Sequence, residues 1–142
     1  MLSFKEMNDK FVRRIMISGK KHKAETIFKK SCNLIDEQTE GKSKKVVEKA
    51  LLNVAPILEV RSVRIAGSTY QIPFPIHKKR QYSLGVAWIV KSARSRSERG
   101  MIRCLAAELT DASKGFGISV RKRNALHKNA ESNRAFSHYR WT

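Results

Sequence analysis

Apolar side chains recur along most of this chain at the three- and four-residue spacing of a helix face. Phe4, Met7, Phe11 and Ile15 share one side of a helix predicted over Phe4–Ile17, which stops at Gly19. Ala24, Ile27, Phe28 and Ile35 do the same over Lys21–Gln38, before Gly41 breaks the pattern. A third helix starts from a Ser43 cap, places Val46, Val47, Ala50, Leu51 and Val54 together, and is stopped by Pro56. A fourth, about Lys79–Arg96, is expected to bury Leu84, Ala87 and Trp88, with Val90 and Ala93 widening the apolar side. Ser97 with Glu98 reads as the start of a fifth, whose stripe of Ile102, Leu105, Ala106 and Leu109 ends near Gly115. The last segment, Val120–Tyr139, is helical by propensity but poor in apolar residues. Asn129 and Asn133 separate Leu126, Ala130 and Phe136, so this helix needs a support other than the core.

One stretch breaks the helical pattern. In "VRSVRIAGSTYQIPFPI", residues 60–76, Tyr70, Ile72, Phe74 and Ile76 alternate with Thr69, Gln71, Pro73 and Pro75, the period of a strand. Ala66-Gly67-Ser68 supplies a tight turn, so the stretch reads as a hairpin arm, spanning about 57–77 with its base. Pro73 and Pro75 both remove donors from the same strand edge, which blocks sheet growth and predicts a ribbon of two strands. An isolated hairpin is marginal in water and must lean on something. Its apolar face can lean on its own helices. Arg61, Arg64 and the absence of any acid from 60 to 76 suit a basic arm that enters a groove or braces a folded nucleic acid, and Gly67 permits close backbone approach there.

Charge changes the picture from fold to partner. Thirty Lys and Arg against 12 Asp and Glu give a net charge of +18, and such a chain wants a polyanion. The excess is clustered. Residues 1–23, 60–76, 77–103 and 118–142 are strongly basic, whereas 24–59 is balanced and 104–117 is nearly so. Four basic blocks around two neutral ones describe contact surface around a scaffold, with nucleic acid as the polyanion. A membrane surface fits less well, since no apolar run of about 18 residues exists. Cys32 and Cys104 are far apart with no CxxC partner, as expected of buried thiols in a reducing compartment, with a single disulfide between them as the alternative. No signal peptide or Arg- and Ser-rich transit peptide is read at the start, where Glu6 and Asp9 stand, so an organellar location would imply synthesis in the organelle or a presequence removed from the chain.

Catalytic chemistry lacks a constellation. His22, His77, His127 and His138 show no metal-binding spacing, so no metal or cofactor is expected. Gly115 and Gly117 in "KGFGIS" follow a helix and not a strand, unlike a phosphate-binding fingerprint. Asp36 with Glu37, and Glu108 with Asp111, lie beside apolar stripes, where pairing with Lys or Arg is their expected role. The rival from another class is a nuclease or a free nucleic-acid-binding regulator, and a two-metal nuclease wants clustered carboxylates that the basic blocks lack.

The strings "SGKK" at 18–21, "PILEVRSVRIAGSTYQIP" at 56–73, "AELTDASKG" at 107–115 and "AESNRAFSHYRW" at 130–141 carry a resemblance over nearly the whole chain. The chain resembles small-subunit ribosomal protein number seven in its bacterial and organellar form. The resemblance implies a mainly α single domain over residues 1–142, six helices with a protruding two-stranded β-hairpin between the third and fourth, and a basic C-terminal helix at about 120–139. It implies a structural, non-enzymatic protein that binds the 3′ major, or head, domain of small-subunit rRNA and nucleates head assembly. Its implied neighbours are other head proteins, the exit-site tRNA and the mRNA exit path. By position, the implied RNA-binding residues are Arg13, Arg14, Lys20 and Lys21, the hairpin's Arg61, Arg64 and Gly67, and Lys78, Lys79 and Arg80. Arg121, Lys122, Arg123, Arg134, His138, Tyr139 and Arg140 complete the set. The chain departs from the family in a shorter N-terminal arm and in Phe116 and Ile118 of "GFGISVRKR". That trimming suggests an organelle-encoded version on a mitochondrial ribosome, with plastid or bacterial cytoplasm as alternatives.

Overall fold

All six predicted helical segments form, with shifted ends. The computed structural model describes residues 2–141. Its elements run α1 (Phe4–Ile15), α2 (Lys21–Thr39), α3 (Ser43–Val54), β1 (Leu58–Ile65), β2 (Ser68–Pro75), α4 (Lys78–Arg94), α5 (Met101–Ser113), α6 (Ile118–Ser132) and a closing 3-10 segment, Arg134–Trp141. The architecture is mainly helical, with a two-stranded antiparallel hairpin between the third and fourth helices.

Local chemistry sets the ends. Ser3 and Glu6 form a capping box at α1: the Glu6 N–H donates to Ser3 Oγ (3.3 Å), and the Ser3 N–H to Glu6 Oε2 (2.8 Å). Ser43 is not the cap of α3 but its first residue. Asp36 of α2 does the capping, its carboxylate accepting the Ser43 N–H at 2.8 Å. Helix α5 begins at Met101 and not at Ser97, because Glu98 is drawn to the Arg96 guanidinium at 2.8 Å. The predicted last helix splits after Ser132, and its remainder tightens into the 3-10 segment.

The core is one continuous cluster drawn from all six helices, with α5 packed against α2, α3, α4 and α6. Phe11 of α1 stacks on Phe28 of α2 at 5.0 Å, and Leu105 and Leu109 of α5 lie fully buried. Each such side chain contributes about 1.5–3 kcal/mol of transfer free energy. The stripe of α4 differs from expectation. Gly85, Val86, Ile89, Val90 and Ala93 face inward, while Leu84, Ala87 and Trp88 are half-buried. Gly85 explains the rotation, because a Cβ there would lie 3.0 Å from Leu51 Cδ1 and 3.4 Å from Ala55 Cα. The end of α3 packs on α4 over this missing side chain.

The hairpin pairs Ile65 with Ser68 across a two-residue turn, so Ser68 belongs to β2 and not to the turn. Ala66 (φ 50°) and Gly67 (φ 82°) are both left-handed, which matches the twist of the ribbon. In this register Val60 faces Pro73 and Leu58 faces Pro75 at positions where the strands exchange no hydrogen bond. The prolines therefore cost the ladder nothing and strip donors from the outer edge. Val63, Tyr70, Ile72 and Phe74 share the face that carries Glu59 and Arg61, while Arg64 lies on the opposite face with Ser62 and Gln71. Ile72 is fully buried but lies outside the main cluster, as does Ala130 of α6. Tyr70 packs against Phe136 and Tyr139 of the closing segment, both at 5.1 Å. The arm's apolar face thus leans on the chain's own C-terminal elements.

Candidate nucleic-acid interface

Cations gather where the helices begin. From α2 to α6 no first turn carries an acid, although acids there would offset the helix dipole. Lys21 opens α2, Lys78, Lys79 and Arg80 open α4, and Arg121 sits in the first turn of α6, all exposed. Each costs the free chain a few tenths of a kcal/mol, a cost that an anion on the surface removes.

The α1–α2 corner and α4 come together. Arg13 and Arg14 end α1 and, with Lys10 and Ser83, line a shallow cleft against α4, in which Lys10 Nζ donates to Ser83 Oγ (3.3 Å). Lys20 and Lys21 follow across the turn at Ser18 and Gly19. Arg94 of α4 holds this corner, donating from Nη2 to the carbonyls of Arg14 and Ile15, both at 3.1 Å. That cation closes the C-terminus of α1.

On the hairpin, Arg61 and Arg64 part company. Arg64 is exposed opposite Thr69. Arg61 lies over the Phe74 ring at 5.1 Å and 3.9 Å from Glu59, which also sits 3.5 Å from Arg80 of α4. Glu59, one residue before the acid-free stretch, thereby ties the arm's base to α4.

Helix α6 turns two of its cations inward. Lys122 Nζ donates to Ser92 Oγ of α4 at 3.1 Å, and burial, reinforced by Lys91, holds its amine below the usual lysine range. Arg123 donates to the Asn53 carbonyl of α3 and, at 2.8 Å, to Asn124 Oδ1. Asn53 in turn closes α5 through the Ala112 and Ser113 carbonyls (2.9 and 3.2 Å). These two cations brace the scaffold. Arg96 does the same, gripping Glu98, fully buried Glu108 and Asp111 at 2.8–3.0 Å, which raises its pKa further.

The closing segment adds an exposed Arg134, 3.7 Å from Glu131, and an exposed His138 packed on Tyr139 at 4.0 Å. Arg140 is half-buried and donates from Nε to Ser137 O (3.1 Å). Between this segment, the hairpin base and α6 runs a groove of about 620 Å³, walled by Pro73, Pro75 and His127 and edged by Arg134 and Arg140. Burial and Arg123 hold His127 below the usual histidine pKa, and its Nε2 accepts the Ile57 N–H at 3.3 Å.

Exposed cations thus line the helix starts, the hairpin and the tail, and among the described residues no three His, Cys, Asp or Glu side chains group to hold a metal ion. Nor is any described helix long and apolar enough to cross a membrane. The family model for ribosomal protein S7p/S5e matches residues 3–134. The chain belongs to that family. Small ribosomal subunit protein uS7 of Desulfovibrio desulfuricans is 48% identical over 132 residues, 93% of this chain and 85% of that protein. The uS7 proteins of Methylococcus capsulatus, at 46%, and Nitrobacter winogradskyi, at 48%, cover the same shares. Membership in the S7p/S5e family makes the chain a structural protein and not an enzyme.

Proposed function

We propose that this chain is an RNA-binding structural component of the small ribosomal subunit, acting as one domain over residues 1–142. It binds the 3′ major domain of the rRNA, nucleates folding of the head, and sits with other head proteins near the exit-site tRNA and the mRNA exit path. The observation that carries this reading is the split among its cations. Those at the helix starts, the hairpin tip and the tail face outward with no acid in the adjoining first turns, while the scaffold's own needs are met by Arg94, Arg96, Lys122 and Arg123.

The contact set is Arg13, Arg14, Lys20, Lys21, Arg64, Gly67, Lys78, Lys79, Arg121, Arg134 and His138. Arg61, Arg80, Tyr139 and Arg140 contribute from partly engaged positions. Lys and Arg set position through phosphates, and the fold of the RNA sets specificity. The relatives are bacterial, which supports a ribosome of bacterial type; the mitochondrial compartment anticipated from the sequence gains no support from them.

Sucrose-gradient sedimentation tests the assignment: the chain should travel with the small subunit, and sedimentation only as free protein would refute it. Binding to a head-domain rRNA transcript should weaken by a decade or more between low and physiological salt.

A further inference from the structure

Helix α5 ends in a double hydrogen-bond closure. The Gly115 N–H donates to Ala112 O (3.0 Å) and the Phe116 N–H to Asp111 O (2.9 Å), with Gly115 at φ 84°. In this motif the residue after the left-handed glycine ordinarily folds an apolar side chain back onto the residue five positions earlier. Here that residue is Asp111, whose carboxylate is held by Arg96 at 3.0 Å. Phe116 finds no apolar partner there and stands 70% exposed.

The platform beneath the ring is fixed. Buried Glu108 accepts from Arg96 Nη1 (2.9 Å) and from the Ser119 N–H (3.0 Å), which ties the end of α4 and the start of α6 to α5. Gly117 lies so close that a Cβ would meet Glu108 Oε1 at 3.0 Å. Exposed Lys114 stands two residues before the ring and exposed Arg121 five residues after it, and the acids of the preceding helix end, Glu108 and Asp111, are both engaged with Arg96. A rigidly carried aromatic ring between two cations has the chemistry of base stacking with phosphate contacts on either side. A protein neighbour would call for a wider apolar patch, and Ile118 beside the ring is already half-buried.

We propose that Phe116 stacks on one unpaired nucleotide of the bound RNA, with Lys114 and Arg121 on the flanking phosphates. This rests on the RNA-binding reading above and adds to it a contact that carries no charge. The test uses the full chain, a small-subunit rRNA transcript and a titration across salt. Phe116→Ala and Phe116→Leu should each lower affinity about ten-fold at every salt concentration with the salt slope unchanged, while Phe116→Tyr retains wild-type affinity. Arg121→Ala should instead reduce the slope by about 1. The melting temperature of Phe116→Ala should match wild type, because the ring is exposed. Wild-type affinity in both Phe116→Ala and Phe116→Leu would overturn the stacking role. So would normal RNA binding combined with failure to enter the small subunit, which would assign the ring to a protein neighbour. A wild-type chain that ignores the transcript even at low salt would refute the RNA-binding reading itself.

Discussion

The helical body and the hairpin–tail unit are held together in different ways. In the body, apolar stripes from six helices meet in one cluster, and side-chain hydrogen bonds such as Asn53 to Ala112 O and Arg94 to Ile15 O close the helix ends. In the hairpin and the closing segment, the apolar support is a small satellite: Ile72 and Ala130 are buried apart from the main cluster, and Tyr70, Phe136 and Tyr139 form an aromatic cap. The first region is held by its own continuous core. The second rests on little core and carries the outward cations Arg64 and Arg134, an arrangement of lower local stability.

The difference can be broken at its strong side first. Leu109→Ala should cost about 3–4 kcal/mol and lower the melting temperature of the whole chain, because the cavity opens where α5 meets its neighbours. Denaturant melts measure it. Tyr70→Ala should cost about 1–2 kcal/mol, felt mainly as faster hydrogen exchange in β1 and β2 while α5 amides keep their protection. Equal loss of protection in both regions would show that they unfold as one unit.

The outward and inward cations separate next. Arg64→Ala should reduce the salt slope of rRNA binding by about 1, and more than Arg61→Ala, since Arg61 is engaged with Phe74 and Glu59. Lys122→Met should leave the slope unchanged, because that amine is engaged with Ser92. A smaller effect concerns pH. The His127 pKa is lowered in the folded state, so its contribution is present above the free value near 6.5 and is lost as pH falls through the lower folded value. Protection of the Ile57 amide, taken relative to its intrinsic exchange rate at each pH, should fall in acid, and His127→Gln, which keeps an acceptor, should flatten that dependence.

Most of the fold is legible in the sequence because glycines, Pro56 and helix-spaced apolar residues are local signals. Expectation and structure part where a local signal is overruled at a distance. Trp88 and Leu84 draw the expected α4 stripe toward bulk, whereas the real crossing is set by Gly85, a residue whose importance lies in what α3 needs. Ser43 resembles a cap, but Asp36 seven residues earlier supplies the acceptor. The start of α1 is the converse case: the Ser3–Glu6 capping box is written entirely within "SFKE", a polar signal that apolar spacing alone does not register. In the interface, charge counting finds the basic blocks but not their facing. Lys122 and Arg123 sit in the most basic run of α6, and which of its cations turn inward depends on carbonyls and hydroxyls of α3 and α4. Phe116 stands out in the sequence only as a departure from the family, because exposure of an aromatic ring is decided by the partner it lacks.

The two prolines on β2 bear on the life of the chain before it meets RNA. An open strand edge would let unassembled copies of a newly made chain zip together into precipitate. With Pro73 and Pro75 in place, the β2 edge keeps outward donors only at Gln71 and Thr69, which weakens edge-to-edge pairing along that strand. The unassembled pool stays available for its proper polyanion.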